Sequence, residues 1–242
     1  MYKGLILGVF LMSFTFFQKT HITLYIIGDS TAANKLPTAF PETGWGMELQ
    51  PFFIEEVKVD NRAVNGRSTK SFINENRWEA VFANLKADDF VFIEFGHNDE
   101  KLEKPEVGTS LEEYKSNLIK YVTETRAKKA NPILLTPIAR RNFVNGALVG
   151  THKGYPDVVR KLADSLKVPL IDMERKTEKL LAKLGDEPSK KLFNYVDSGH
   201  VNYPKGKKDD THLSPQGAKS LAKLVVDGIK EAKIGLVKYL RK

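Results

Sequence analysis

Short runs of β-branched, aromatic and aliphatic residues recur along this chain with helically spaced stretches between them, and that alternation leaves few folds open. Ile22-Thr23-Leu24-Tyr25-Ile26-Ile27, Phe90-Val91-Phe92-Ile93-Glu94-Phe95 and Ile133-Leu134-Leu135-Thr136 are almost uninterrupted. Strands this apolar read as buried on both faces, as in a parallel sheet. Glu56 to Asp60 and Val168 to Asp172 are expected to be further strands. Leu111 to Lys129 carries Leu111, Tyr114, Leu118, Tyr121 and Val122 at helical spacing, and Tyr155 to Leu166 and Met173 to Leu184 repeat the pattern. Pro215 to Ile229 follows Ser214, an N-cap with proline at the first helical position. The expected fold class is α/β, three layers with a parallel sheet in the middle.

The 242 residues contain no internal repeat, low-complexity tract or linker, so one domain over 20–242 is expected. No cysteine is present, which excludes disulfides, thiolate metal sites and a cysteine nucleophile. Lys+Arg exceed Asp+Glu by 38 to 30, and this net +8 favours acidic partners. No dense basic block interleaved with aromatics occurs, so no nucleic-acid partner is expected. Lys3 followed by the uncharged, mostly apolar run Gly4 to Phe17 has the pattern of a signal peptide over 1–19. A secreted or periplasmic location is expected, with no clear cleavage site. The alternative is an anchor that stays attached; beyond this segment no membrane association is expected.

Ligands of such sheets bind at the carboxyl ends of the strands. The first strand runs into Gly28-Asp29-Ser30-Thr31, where a serine can project its hydroxyl past the sheet edge or simply cap a turn. The second leads to Asn65-Gly66-Arg67-Ser68, a tight turn or a glycine N–H open to a ligand oxygen. The third ends in Gly96-His97-Asn98-Asp99, a costly set of polar residues for a plain turn. Near the C-terminus, Asp209 stands three residues before His212, spacing that lets a carboxylate face an imidazole.

In order and residue type these segments resemble the SGNH, or GDSL-type, hydrolase superfamily. With Thr43-Gly44-Trp45-Gly46 added, the chain looks like its rhamnogalacturonan acetylesterase branch. The resemblance implies a flavodoxin-like, doubly wound fold and removal of acetyl groups from pectic polysaccharide. Ser30 is then the expected nucleophile, His212 its base and Asp209 the group that orients His212, with Asp210 as rival. The Ser30 and Gly66 N–H groups and the Asn98 amide are the expected oxyanion hole. No cofactor and no metal are expected, and a monomer is.

For substrate binding, Arg67, Arg140 and Arg141 and the lysine loop 203–208 are candidates to hold sugar carboxylates; a solvated basic surface is the competing reading. His97 is expected to stabilise its turn, with a substrate contact as the alternative. His152 either lines the groove or sits in a surface loop. The expected partner is an acetylated, acidic polysaccharide or oligosaccharide. Competing functions are an acetylxylan or broad short-chain esterase, a lipid esterase, and a non-catalytic sugar-binding relative. A metallohydrolase built on His97, Asp99, Asp209 and His212 is the most distant of them.

Overall fold

The computed structural model describes residues 21–242, so the signal-peptide expectation over 1–19 lies outside the described residues. In chain order the elements are β1 (Ile22–Gly28), β2 (Val57–Asn61), α1 (Thr69–Asn74), α2 (Arg77–Asn84), β3 (Phe90–Glu94), α3 (Leu111–Ala127) and β4 (Asn131–Leu135). There follow β5 (Phe143–Val144), β6 (Ala147–Leu148), α4 (Tyr155–Leu166), β7 (Leu170–Ile171), α5 (Met173–Leu184), α6 (Asp186–Ser189) and α7 (Pro215–Glu231). Among the described residues no helix is long and apolar enough to cross a membrane.

The main sheet has five strands in the order β2-β1-β3-β4-β7, and every pairing is parallel. Strand alternation splits the core in two. Leu24 and Ile26 of β1, Phe92 of β3 and Ile133 of β4 face a cluster that includes Met173 and Leu181 of α5 and Leu221, Val225 and Ile229 of α7. Tyr25, Ile27, Val91, Ile93 and Leu134 face the opposite cluster, with Phe72 of α1, Trp78 of α2, Tyr114 and Tyr121 of α3 and Val159 of α4. Both faces are covered, as the unbroken apolar runs require, and the three layers and flavodoxin-like strand order match expectation.

The chain leaves β1 for β2 on one side and returns to β3 on the other, so the direction of winding reverses between β1 and β3. The carboxyl ends of those two strands therefore border the crevice in which such folds place their ligands. Gly28 pairs with Glu94 there, and a Cβ on Gly28 would stand 2.6 Å from the Glu94 carbonyl oxygen, so only glycine lets the two strand ends approach this closely.

Three local differences from the expectation have physical causes. The segment 69–84 holds α1 and α2, which the helical patterns read from sequence do not include. Each is short, and Asn76 in the left-handed region (φ 57°) separates them, so neither shows a sustained period. The hairpin β5–β6 turns on Asn145-Gly146, both at positive φ, a signal available in the sequence. Strand β7 shrinks to Leu170–Ile171 at the sheet edge, where Pro169 offers only its carbonyl, to the Leu134 N–H (3.0 Å).

Candidate active site

Ser30 stands two residues beyond β1, in a turn closed by the Ala33 N–H donating to the Asp29 carbonyl (3.1 Å). His212 arrives from the other end of the chain, 182 residues away, on the segment leading into α7. That segment is seated by the Asn194 N–H on the His212 carbonyl (2.8 Å) and by Ser214 capping the Gly217 N–H (3.1 Å). Together these bring His212 Nε2 within 2.9 Å of Ser30 Oγ. On the far side of the ring, Nδ1 lies 2.8 Å from Asp209 Oδ2. The other Asp209 oxygen accepts the N–H groups of Thr211 (2.9 Å) and His212 (3.0 Å). Burial pushes the Asp209 carboxyl up, but the bonds from the His212 ring and the two N–H groups outweigh burial and hold it well below the usual carboxylate range. Asp210, the rival, turns away: its Oδ1 takes Arg141 Nη1 (2.6 Å) and the Tyr195 hydroxyl (2.7 Å).

Gly66 stands in the turn after β2 and Asn98 in the turn after β3. Gly66 has φ +77°, a conformation that glycine adopts without strain. The Asn98 amide is oriented from both ends: Nδ2 donates to the Arg67 carbonyl (3.0 Å), and Lys101 Nζ donates to Oδ1 (2.7 Å). One Nδ2 hydrogen remains for another acceptor. Among the described residues no backbone carbonyl takes the Ser30 or the Gly66 N–H.

Under Ser30 runs a sealed polar layer. Thr31 Oγ1 lies 2.9 Å from Asp29 Oδ1 and 3.2 Å from both Glu94 oxygens, and Trp45 Nε1 donates to Glu94 Oε2 (3.0 Å). Burial, then the neighbouring Asp29 charge, pushes the Glu94 carboxyl up to about 8. His97 Nδ1 lies 3.2 Å from Asp29 Oδ2. Burial lowers His97 to about 4, against the pull of Asp29, so at neutral pH a neutral ring donates its Nδ1–H to the Asp29 carboxylate. Asp29 is itself held low: burial raises it, and the bonds from His97 and Thr31 overcome that.

The substrate-binding expectations fare differently. His97 is only 3% exposed and His152 only 2%, so neither lines an open groove. His152 is instead held between Glu100 Oε2 (3.2 Å from Nδ1) and the Ile138 carbonyl (2.8 Å from Nε2). Arg140 pairs with Glu100 (2.5 Å) and Arg67 with Glu75 (3.0 Å). Arg141 is buried between Asp186 and Asp210. These arginines are engaged by the protein's own acids, whose carboxylates match the guanidinium fork. Lys205 and Lys208 differ: among the described residues neither has an ion pair or a side-chain hydrogen bond, and both line a cleft with Val196, Asp197, Ser198, Gly206 and Lys207. Lys207 Nζ lies 3.4 Å from Asp209 Oδ2, which puts this cleft beside the Asp209–His212 pair.

The metallohydrolase set does not converge. Asp99 binds the Thr69 N–H (3.0 Å) and the hydroxyls of Thr69 (2.5 Å) and Thr109 (3.1 Å), while His97 faces Asp29. Among the described residues no group of three or more His, Cys, Asp or Glu is arranged to hold a metal ion. Sequence reasoning passed over Lys35, whose ammonium reaches Ser30 and Asn65. No local spacing marks it, since Asn65 lies 30 residues away.

Fold and site together define a carboxylic ester hydrolase. The model of the GDSL-like Lipase/Acylhydrolase family matches residues 26–219, and the chain belongs to that family. It is 38% identical over 225 residues to rhamnogalacturonan acetylesterase RhgT of Bacillus subtilis (strain 168), covering 92% of this chain and 96% of that one. It is 34% identical over 220 residues to the probable rhamnogalacturonan acetylesterase YesY of the same organism, covering 90% and 97%. The crystal structure of Bacillus subtilis YxiM superposes with a TM-score of 0.77 at 28% identity, covering 89% of this chain and 58% of that one.

Proposed function

We propose that the chain is a secreted or periplasmic serine esterase that removes O-acetyl groups from an acidic plant cell-wall polysaccharide, rhamnogalacturonan foremost. The observation that carries the chemistry is the row Ser30 Oγ, His212 Nε2, His212 Nδ1, Asp209 Oδ2, with 2.9 and 2.8 Å at its two hydrogen bonds. His212 takes the Ser30 proton as Oγ attacks the acetyl carbonyl carbon. The carbonyl π pair moves onto oxygen, and the Ser30 N–H, Gly66 N–H and Asn98 Nδ2–H receive that charge. As the tetrahedral centre collapses, His212 returns the proton to the leaving sugar oxygen. Water, deprotonated by His212, then attacks the acetyl-serine; acetate leaves and the proton goes back to Ser30. Asp209 keeps Nδ1 protonated and stabilises the imidazolium formed at each half-reaction.

Support for a polymer of acidic sugars comes from the two relatives named for rhamnogalacturonan and from the rim. Loop 36–40 is held against loop 200–203 by Asn202 Nδ2 on the Pro37 and Phe40 carbonyls (3.0 and 2.8 Å) and by the Tyr203 hydroxyl on Ala39 (2.8 Å). It leaves Leu36, Phe40 and Val201 exposed, an apolar ledge suited to the C–H faces of sugar rings. The cations Lys205 and Lys208 face solvent nearby and suit uronate carboxylates.

The test is acetate release from acetylated rhamnogalacturonan, acetylated homogalacturonan and acetylxylan, with Ser30→Ala as the blank. Fastest release from rhamnogalacturonan is expected, and Lys205→Ala with Lys208→Ala should raise KM on the acidic polymers alone. Equal rates on acetylxylan, untouched by salt or by the lysine variants, would overturn the acidic-polymer assignment.

A further inference from the structure

Lys35 is a lysine with a side chain only 2% exposed, a costly place for an ammonium unless every proton is used. All three are. Nζ donates to the Ser30 carbonyl (2.6 Å), to Asn65 Oδ1 (2.8 Å) and to Glu42 Oε1 (2.7 Å). The three acceptors belong to three separate stretches of chain. Ser30 is in the turn after β1. Asn65 precedes Gly66 in the turn after β2. Glu42 precedes Thr43, whose N–H donates to the carbonyl of Leu213, the neighbour of His212 (2.9 Å). We propose that Lys35 is the positioning residue that fixes the oxyanion turn Asn65-Gly66 against the Ser30 turn. The proposal rests on the reading of Ser30 and Gly66 given above.

The need for such a clamp follows from the turn itself. Gly66 is exposed, sits at positive φ, and a Cβ built on it would meet nothing within 4 Å. No packed core therefore sets the position of its N–H. The turn is closed by the Arg67 N–H on the Val64 carbonyl (3.3 Å) and by Arg67 Nη1 on the Asn65 carbonyl (2.9 Å), Asn98 Nδ2 holds the Arg67 carbonyl (3.0 Å), and Lys35 on the Asn65 side chain is the contact that ties it to the Ser30 turn. An oxyanion donor must sit within a few tenths of an ångström of its place to be effective, because its worth comes from being aligned before the charge forms. Lys35 reaches the Ser30 carbonyl, so one ammonium references the Gly66 N–H to the nucleophile. Glu42 balances the charge, which makes the lysine a geometric device rather than a source of net positive field.

The experiment compares Lys35→Met, Asn65→Ala and the double variant with the parent on 4-nitrophenyl acetate, with binding of an alkylboronic acid that forms a tetrahedral adduct on a nucleophilic serine. Each single variant should lose roughly 10- to 100-fold in kcat with KM within about twofold, and boronate affinity should weaken by the same factor. The double variant should lose no more than Lys35→Met alone, since both changes cut one linkage. Losses that multiply in the double variant, or a lowered melting temperature with parental kcat, would reduce Lys35 to a stabilising ion pair and overturn the proposal. If Lys35→Met does not fold, Asn65→Ala decides alone: parental kcat and boronate affinity refute the clamp. Ser30→Ala separates the two failures, because turnover surviving in that variant defeats the nucleophile assignment, whereas its loss alongside a fully active Lys35→Met defeats only the clamp.

Discussion

The molecule contains two histidine–aspartate contacts close to Ser30, and they do opposite things. His212 meets Asp209 at 2.8 Å with 29% and 12% of the side chains exposed; His97 meets Asp29 at 3.2 Å with 3% and 0% exposed. Both pairs place Nδ1 on a carboxylate. In the outer pair the second ring nitrogen faces the Ser30 hydroxyl, and the ring is partly open to water. In the inner pair Nε2 is buried with no hydrogen-bond partner among the described residues, and burial lowers the ring's basicity to about 4. A ring of such low basicity, with its free nitrogen closed off from any hydroxyl, is a poor general base. Residue type and pairing do not by themselves make an imidazole available as a base; the environment of its free nitrogen does.

The largest expected effect separates the two histidines directly. His212→Ala should remove esterase turnover by several orders of magnitude, as should Ser30→Ala. His97→Ala should leave kcat within about tenfold of the parent, so a loss equal to that of His212→Ala in initial-rate assays would erase the distinction. Asp209→Asn comes next, with kcat down roughly 10³- to 10⁴-fold through the wrong tautomer of His212. Asp210→Asn is its control, and it should keep most of the activity because Asp210 serves Arg141 and Tyr195. Should the two variants exchange phenotypes, the assignment of the orienting carboxylate is wrong.

For the inner pair the readout is stability. His97→Ala strips a hydrogen bond from buried Asp29 and should cost about 1–3 kcal/mol in chemical denaturation. An unchanged midpoint would mean that this contact carries little. The last effect to test concerns Glu94, beside Asp29. Its folded value, near 8, lies above the ordinary carboxylate value of 4.5, so the folded chain keeps a proton that the unfolded chain gives up. The resulting stabilisation is full below the ordinary carboxylate range and is lost as pH rises through about 8. Glu94→Gln cannot titrate, so between pH 5 and 8 the parent's melting temperature should fall relative to the variant's by roughly 2–4 °C or more. Parallel curves in scanning calorimetry would remove Glu94 from the protonated layer.

Much of the architecture was legible because it is written in local periods. The boundaries of α4 and α5 coincide with the apolar spacing that predicts them, and the runs around β1, β3 and β4 are too apolar for any edge position. The Asp209–His212 spacing could be read for the same reason, since three residues on one turn are neighbours whatever the rest of the chain does. The arginines were less legible. Their position after predicted strand ends suggested ligand contacts, yet Arg140 and Arg67 pair with Glu100 and Glu75 and Arg141 is closed in by Asp186 and Asp210. His152, ambiguous in the sequence, has its ring between the Glu100 carboxylate and the Ile138 carbonyl.

The amino-acid order alone determined the alternation of strands and helices, the parallel sheet and the residue types gathered at the strand ends, because each depends on neighbours a few positions away. Only the tertiary structure decided that Asp209 and not Asp210 faces His212, which of the described cations lack an acidic partner, and that a buried lysine links Ser30 to the Gly66 turn. Those outcomes turn on burial and on hydrogen bonds between residues as far apart as Arg141 and Asp210, and neither leaves a periodic mark along the chain.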